Sequence, residues 1–322
     1  MSRSNRLLAA TLVMTGGLLV AAGVASAGNR IYVTNEHEGS MSIIDATTYE
    51  VLDTVEVGKQ PRGIGMSPDG KEIYIALGRD DAIAVVDPAS GKVLRNLDGG
   101  EDPENFMVHA NGDLYIANEE DAQASVLRPA SGEVIAEVEV GIEPEGVAIS
   151  PDGKLVIITS ESTNMLHVIR TEDHELIENV LVGSRPRSAT FSADGHYAYA
   201  TAEIGAEIVR VNLENFEIDR RAKLKDPSSK PKDILEHADT GRLYVAGGRS
   251  NSIYVLDADT LQVLDEIPVG RRVWGLGFDK ARERLFTTDG GSDTVSVIDV
   301  KTNKVISTIA VGKGPWGVVV DA

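Results

Sequence analysis

Residues 57–71 read VGKQPRGIGMSPDGK, and versions of this segment return along the chain at nearly constant spacing. Successive copies start 41 to 45 residues apart, and the longest step falls in the fifth copy, around residues 225–230. A period of this length with turn residues in every copy is typical of the blades of a β-propeller. The proline of the segment, or the residue that replaces it, stands at Pro61, Pro103, Pro144, Pro186, Pro231, Val273 and Pro315.

Each copy contains four short runs with strand composition. In the copy that starts at Pro61 they cover residues 63–66, 73–76, 82–87 and 93–97. The first run is small and apolar, as the innermost strand of a blade must be where several backbones crowd around one axis. The turn that follows it, residues 67–71, has Pro68 to fix φ and Gly70 to accept a left-handed conformation.

The two ends of the repeat region complement each other. Residues 30–35, 41–45 and 51–57 supply three strands without an innermost one, and residues 315–320 supply an innermost strand without outer ones. Joining them completes a seventh blade and removes the exposed sheet edges. The sequence therefore predicts an all-β fold, a seven-bladed β-propeller of four-stranded antiparallel blades that spans residues 28–322.

The N-terminal residues 1–27 have a different composition. Arg3 and Arg6 precede an uncharged apolar run over residues 7–24, and Ala25-Ser26-Ala27 follows it. This order predicts a secretory signal peptide, cleaved near Gly28, and a mature protein in the periplasm. The alternative is an uncleaved membrane anchor, because the apolar run approaches the length that spans a bilayer.

Charge and cysteine content exclude several classes of function. The chain has 31 basic and 50 acidic residues, a formal charge of −19, and loss of Arg3 and Arg6 makes it about −21. Nucleic acids and anionic membranes are therefore unsuitable partners. The acidity serves either solubility or a partner with a basic face, such as a secreted electron carrier. The absence of cysteine excludes disulfides, thiolate catalysis and cysteine-ligated metal centres.

One position of the repeat is the natural candidate for a binding site. The residue after each proline position lies at one end of an innermost strand, where seven such residues surround the mouth of the central channel. Carboxylates, cations and indoles at this position could bind a small polar or aromatic ligand by charge pairing and stacking. We call them the mouth ring: Arg62, Glu104, Glu145, Arg187, Lys232, Trp274 and Trp316.

The mouth ring has a structural alternative. Its charged side chains could pair with one another and close the channel, and the two tryptophans could simply fill the core. The six histidines show no metal-ligand spacing on one strand face, so the sequence assigns neither a metal site nor catalytic residues.

The repeat signature also resembles a known family. Residues 31–35 read IYVTN, the Val-Gly-x-x-Pro-x-Gly segment recurs, and Ser-Pro-Asp-Gly-Lys turns follow it. These motifs resemble the Tyr-Val-Thr-Asn (YVTN) family of β-propeller repeats over residues 28–322. Within it, a secreted chain of seven repeats is similar to the β-propeller proteins associated with pyrroloquinoline quinone (PQQ)-dependent alcohol catabolism. Val273 in place of proline, and residues 224–226 in place of Val-Gly, depart from the pattern.

The resemblance implies a periplasmic role beside quinoprotein dehydrogenases. Candidate partners are a quinoprotein dehydrogenase, an electron carrier or a component of an ABC transporter, and the protein itself is expected to be a monomer. The resemblance implies association with PQQ-dependent enzymes and leaves open whether PQQ itself is bound. Three functions remain at this point: a non-catalytic binding or scaffold module, a channel-mouth enzyme such as a lactonase-like hydrolase or accessory oxidoreductase subunit, and an adhesion protein of the cell envelope.

Overall fold

A computed structural model describes residues 29–322, which form 28 β-strands in seven sheets of four. The first blade contains β1 (Arg30–Asn35), β2 (Ser40–Asp45), β3 (Val51–Glu56) and β28 (Pro315–Asp321). Blades 2 to 4 contain β4 (Pro61–Met66), β5 (Ile73–Leu77), β6 (Ala82–Val86), β7 (Val93–Asp98), β8 (Pro103–Val108), β9 (Leu114–Asn118), β10 (Gln123–Arg128), β11 (Glu133–Glu139), β12 (Pro144–Ile149), β13 (Leu155–Ser160), β14 (Met165–Arg170) and β15 (Leu176–Leu181).

Blades 5 to 7 contain β16 (Pro186–Phe191), β17 (Tyr197–Ala202), β18 (Glu207–Asn212), β19 (Glu217–Lys223), β20 (Ile234–His237), β21 (Arg242–Ala246), β22 (Ser252–Asp257), β23 (Val263–Pro268), β24 (Val273–Phe278), β25 (Arg284–Asp289), β26 (Thr294–Asp299) and β27 (Lys304–Ala310). Single 3₁₀ turns occur at Gly78–Asp80 and Ala238–Thr240. The predicted signal peptide lies outside the described residues. Within residues 29–322, no helix is long and apolar enough to cross a membrane.

The seven four-stranded blades confirm the predicted fold class. Within each blade the strands are antiparallel neighbours, and the chain passes from the channel outward before it enters the next blade. The first blade is completed by β28, which pairs antiparallel with β1, Ile31 lying opposite Val320 and Val33 opposite Val318. The two ends of the described chain therefore share one sheet.

Burial follows the position of a strand within its blade. The second and third strands, such as β5 and β6, are buried along their whole length because blades cover both of their faces. The outermost strands, such as β3, are largely exposed. The apolar core therefore lies between blades, and one cluster joins Tyr32 and Ile43 of the first blade to Ile75 and Val86 of the second.

The innermost strands differ in one respect from the expectation. Six of the seven begin at the proline position, and β20 begins at Ile234. In the copy at Pro61 the start is two residues earlier than composition suggests, and a register shift follows: Pro61 lies opposite Leu77 but Ile64 lies opposite Ile75. Proline suits the first residue of a strand because no ladder bond from its nitrogen is required there. The shift leaves the two residues after the proline outside the regular strand pairing, and the first of them belongs to the mouth ring.

Two signature residues hold this irregular backbone. The Thr34 hydroxyl accepts a hydrogen bond from the Gly317 N–H (2.9 Å) and donates one to the Arg62 carbonyl of the neighbouring blade (2.7 Å). At the glycine of the Pro-x-Gly segment, a Cβ on Gly146 would lie 2.5 Å from the Arg187 carbonyl oxygen. The threonine and the glycine thus position the backbone of mouth-ring residues in the next blade.

The extra residues of the fifth copy lengthen one connection. Residues 224–233 between β19 and β20 form no strand, and β20 is only four residues long. The Ser229 hydroxyl is fully buried and hydrogen-bonded to the Tyr254 hydroxyl at 2.9 Å. Lys232 consequently precedes its strand, although its N–H still bonds the Ala246 carbonyl (2.9 Å).

Candidate functional site

The mouth ring assembles at one end of the channel. Six of its members are the second residues of innermost strands, and Lys232 lies two residues before β20. The structure brings neighbouring members together in pairs: Arg62 contacts Glu104, Arg187 contacts Glu145 at 2.5 Å, and the Trp274 and Trp316 rings stack. The pairing that sequence left as an alternative to ligand binding is therefore present for four of the five charged members, whereas Lys232 pairs with Glu203 outside the ring.

Sequence reasoning missed a second set of carboxylates at the mouth. They come directly after the second strand of four blades, a slot that glycine occupies in the other three, and they surround the cations of the mouth ring. We call them the acidic set: Glu36, Glu119, Glu161 and Glu203. The sequence does contain a signal for this set. Each of these glutamates recurs at the repeat period, directly after the last position of the Tyr-Val-Thr-Asn segment.

Arg62 lies among four carboxylates. Its Nε is 3.1 Å from Glu36 Oε1, and its Nη1 is 3.5 Å from both Asp102 Oδ1 and Glu119 Oε2 and contacts Glu104. Burial, together with the charge of nearby Glu145, raises the pKa of Glu119. One guanidinium therefore faces an excess of acidic groups.

Part of this cluster has the composition of a cation site. One carboxylate oxygen each from Asp102, Glu104 and Glu119 lies within 4.8 Å of the others. Three carboxylates are a donor set suited to a hard divalent cation. The Arg62 guanidinium already contacts all three, and it supplies positive charge at this place.

Arg187 is the centre of a second ionic cluster. Its side chain is 8% exposed, and its two terminal nitrogens contact Glu145 and Glu161. Beside it, Lys232 Nζ donates to Glu203 Oε2 at 3.0 Å. Burial, and then the charge of Arg187, lowers the pKa of Lys232 to about 8. Buried ions of this kind depend on their partners to offset desolvation.

The tryptophans form an aromatic platform with cations on it. The ring centroids of Trp274 and Trp316 are 6.4 Å apart with planes inclined by 25°. Lys232 Nζ lies 4.3 Å from the Trp274 centroid, and the Cζ atoms of Arg272 and Arg187 lie at 5.0 and 5.5 Å. Both indoles are only partly buried, so they do not simply fill the core.

Glycine in the slot of the acidic set makes room for this platform. A Cβ on Gly290 would lie 2.7 Å from Trp274 Cδ1, so any side chain there would displace the indole. In blade 7 the glycine at this position is therefore required for the platform, whereas blade 1 carries both Trp316 and Glu36. The mouth has a carboxylate-rich sector around Arg62 and Arg187 and an aromatic sector formed by Trp274 of blade 7 and Trp316 of β28.

A small cavity opens beside the platform. Its volume is about 40 Å³, which holds two or three waters or a group of similar size. Asp233 lies in its wall and accepts hydrogen bonds from Ser188 Oγ (2.8 Å), the Ile234 N–H (2.8 Å) and the Leu276 N–H (2.9 Å). Burial raises the pKa of Asp233. The lining residues are Asn105, Glu145, Arg187, Ser188, Lys232, Asp233, Trp274, Gly275 and Trp316.

In the described part of the chain, no histidine joins the three converging carboxylates Asp102, Glu104 and Glu119. His167, in β14, is 3% exposed, and its Nε2 accepts a hydrogen bond from the Gly141 N–H at 2.9 Å. Burial lowers the pKa of His167, which favours the neutral ring that this acceptor role requires. These contacts give His167 a structural role.

Solved structures share the fold at low sequence identity. A functionally unknown protein from Desulfotomaculum acetoxidans is 17% identical, with a TM-score of 0.79 over 91% of this chain and 98% of that one. Hydrazine synthase of Kuenenia stuttgartiensis is 20% identical, with a TM-score of 0.65 over 80% and 88%. Dihydro-heme d1 dehydrogenase NirN, in complex with DHE, is 14% identical, with a TM-score of 0.69 over 92% and 76%.

Comparison of the sequence with family models identifies a family. No curated protein matches the sequence significantly. The family model described as "YNCE-like beta-propeller" matches residues 6–121 and 78–256, which together span well over half of the chain. The seven blades of the chain and its recurring segment agree with this match. The chain therefore belongs to the YNCE-like β-propeller family.

Proposed function

We propose that the protein is a non-catalytic binding or scaffold module that uses its channel mouth to hold a ligand in PQQ-dependent alcohol catabolism. The observation that carries the proposal is the partly exposed Trp274–Trp316 pair with three cations around Trp274. Indoles and guanidinium or ammonium groups together recognise planar ligands that carry negative charge. PQQ is such a ligand.

The ion pairs between charged residues at the mouth favour a binding role over a catalytic role. A general acid or base must reach its substrate, whereas Arg187 and Glu145 contact each other and are both nearly buried. The Arg62 and Glu104 side chains are engaged in the same way. These pairs give the mouth a rigid frame, and the aromatic sector is the part that remains available to a ligand.

The cellular setting is part of the same proposal. The predicted signal peptide in residues 1–27 and the YVTN-type repeats favour a periplasmic protein beside a quinoprotein dehydrogenase. The strong negative charge favours a partner with a basic face, such as an electron carrier, and an ABC transporter component is the other candidate. We propose that the protein acts there as a monomer.

Tryptophan fluorescence tests the ligand site, because the chain has only two tryptophans and both belong to the mouth ring. The purified protein is titrated with PQQ, calcium and aromatic alcohols, and N-acetyltryptophanamide is titrated in parallel to correct for absorption. We expect a saturable change with PQQ that Trp274→Ala abolishes, although Trp316 still reports. Arg284→Gln, at the far end of blade 7, is the matched control and should respond as the unchanged protein does.

The outcomes distinguish a small-molecule site at the mouth from a protein-binding scaffold. An absence of saturable change with every compound would contradict a small-molecule site and leave a protein-binding scaffold, to be sought by co-purification with a PQQ-loaded dehydrogenase. A response that survives in Trp274→Ala and in Trp316→Ala would place the ligand away from the mouth.

An enzyme remains the second candidate because of one observation, the three converging carboxylates Asp102, Glu104 and Glu119. A lactonase-like hydrolase would use them to hold a cation that activates water. Lactone hydrolysis measured with calcium, and with Glu104→Gln as the variant, tests this alternative. Calcium-dependent turnover lost in Glu104→Gln would favour the enzyme over the binding module.

A further inference from the structure

We infer that the mouth contains a subsite for a carboxylate group, formed by Arg187 and Lys232 at the edge of the Trp274 ring. The subsite belongs to the ligand site proposed above and therefore depends on that function, which it makes more specific. The ligand class is an aromatic or similarly planar carboxylate. Its charged end enters the cavity and its ring lies against the indoles.

Arg187 has a buried donor without an acceptor. Its Nε has no hydrogen-bond partner among the residues that the structure describes, and the side chain is 8% exposed. Glu203 Oε2 is 3.8 Å away, beyond hydrogen-bonding distance, while Glu145 and Glu161 occupy the two terminal nitrogens. Burial of an unsatisfied donor is costly, so an acceptor atom brought here by a ligand is favoured.

Lys232 offers further donors beside it. An ammonium group has three N–H bonds, and the hydrogen bond that the structure gives Nζ goes to Glu203 Oε2. The side chain is 11% exposed. Lys232 and Arg187 both lie over the Trp274 ring, and all three residues line the cavity. Two neighbouring donors of this kind suit the two oxygens of a carboxylate.

The balance of charge on this side of the mouth also favours an anion. Arg185 and Arg187 are paired with Glu161 and Glu145, and Lys232 is paired with Glu203. Arg272, which lies over the Trp274 ring, has no carboxylate partner within 4 Å in the described part of the chain. Arg272 therefore adds a positive charge at the aromatic platform that no carboxylate within 4 Å offsets, while burial raises the pKa of Asp233 in the cavity wall and so favours its neutral form.

The size of the cavity fixes which part of the ligand can enter. A volume of about 40 Å³ accommodates a carboxylate or two to three waters but not an aromatic ring. The ring must remain at the opening, where Trp316 and Trp274 are partly exposed and offer a flat apolar surface. Water is the ordinary occupant of such a cavity, so binding requires that the carboxylate displace it.

Calorimetric titration with benzoate and with benzyl alcohol tests the subsite, because the two probes share a ring and differ in charge. We expect benzoate to bind and benzyl alcohol to bind about tenfold or more weakly. Lys232→Met should weaken benzoate about tenfold and leave benzyl alcohol nearly unchanged. Lys313→Met is the control, because Lys313 is exposed in the mouth-side loop before β28.

A second readout avoids dependence on the variant. Lys232 faces the charged groups Arg187, Glu203 and Glu145. The Asp233 carboxyl, whose pKa burial raises, lies in the wall of the same cavity, and Arg272 lies over the same indole. A carboxylate prefers the protonated amine, so benzoate affinity of the unchanged protein should fall about tenfold from pH 7 to pH 9, through the Lys232 pKa of about 8. Benzyl alcohol affinity should stay constant over the same range.

The results distinguish the subsite from the function on which it depends. Equal affinity for benzoate and benzyl alcohol, or a benzoate affinity that is flat with pH, would overturn the carboxylate subsite while the mouth remained a ligand site. Failure of benzoate to bind, together with fluorescence that PQQ leaves unchanged, would overturn both. Benzoate binding that Lys232→Met leaves intact in a folded variant would also reject the subsite.

Discussion

At the scale of single residues, the threonine of the repeat signature links the backbones of adjacent blades. Thr34 is fully buried, and its hydroxyl joins the Gly317 N–H of its own blade to the Arg62 carbonyl of the next. Thr201 makes the same type of link from the Ser188 N–H to the Lys232 carbonyl. The side chain therefore fixes the backbone of the mouth-ring residue in the next blade.

Thr34→Val should destabilise the protein by about 2 kcal/mol, because the isosteric change leaves a buried N–H and a buried carbonyl without partners. Chemical denaturation of both proteins measures this difference. Thr308→Val is the control, since Thr308 is exposed on β27 and should change stability by less than about 0.5 kcal/mol. Equal stability of the Thr34→Val variant and the unchanged protein would show that the link is dispensable.

The mouth ring could be predicted from the sequence, but its partners could not. All seven members occupy one repeat slot, and reading that slot around the ring places them together. The acidic set comes from a different slot, and no periodicity says that Glu36 and Glu119 turn toward Arg62. Asp233 and Arg272 were missed for the same reason, because their roles depend on side-chain direction at the mouth.

At the scale of strands, close contact between innermost strands requires the glycine of the Pro-x-Gly segment. Gly146 of β12 packs directly on β16, where a Cβ would meet the Arg187 carbonyl at 2.5 Å and Ser188 Cα at 2.8 Å. Both atoms belong to backbone, which cannot move without moving the mouth ring. The glycine is thus a packing requirement between two blades.

Gly146→Ala should cost about 1–3 kcal/mol of unfolding free energy, the usual range for overpacking a fixed site. Gly205→Ala is the comparison, because a Cβ there meets only the flexible Glu207 side chain, at 3.3 Å. Thermal unfolding of both variants checks the difference. A Gly146→Ala variant as stable as Gly205→Ala would mean that the innermost strands have room to separate.

The order and number of strands were predictable, whereas their irregular starts were not. Apolar composition and turn residues locate all four strands of the copy at Pro61 to within a few residues of their ends. The register shift after Pro61 is invisible to composition, because it arises from hydrogen bonds between strands. The ten-residue connection before β20 could be located by the repeat spacing, but its effect on Lys232 could not.

At the scale of the whole molecule, the ring depends on the pairing of its two ends. The strand β28 supplies the innermost strand of the first blade, and it packs against β24 and β4 on either side. Without it, β1 would become an open edge at the centre of the molecule. The ends of the described chain therefore control the cohesion of all seven blades.

A chain that stops at Lys313 should lose this cohesion. We expect its thermal midpoint to fall by about 10 °C or more and soluble aggregates to form through the edge of β1. Scanning calorimetry and size-exclusion chromatography measure both effects, with a chain lacking only Ala322 as the control. A truncated chain that remains monomeric with an unchanged midpoint would contradict the role assigned to β28.

The predicted fold and closure followed from the repeat alone, because a fixed period carries long-range information that single strands lack. The function of the mouth did not follow in the same way. A repeat specifies where seven side chains meet, and the chemistry at that place depends on which of them neutralise one another and which, like Trp274, keep an exposed face.

The most direct test of a ligand site at the mouth is an NMR titration of the two indole N–H groups. Trp274 and Trp316 are the only tryptophans, so each gives one indole signal, assigned by substituting the other. Addition of PQQ or benzoate should shift both signals in a saturable way, and benzyl alcohol should shift them less. Two indole signals that stay unchanged at saturating concentrations of all three compounds would contradict the account.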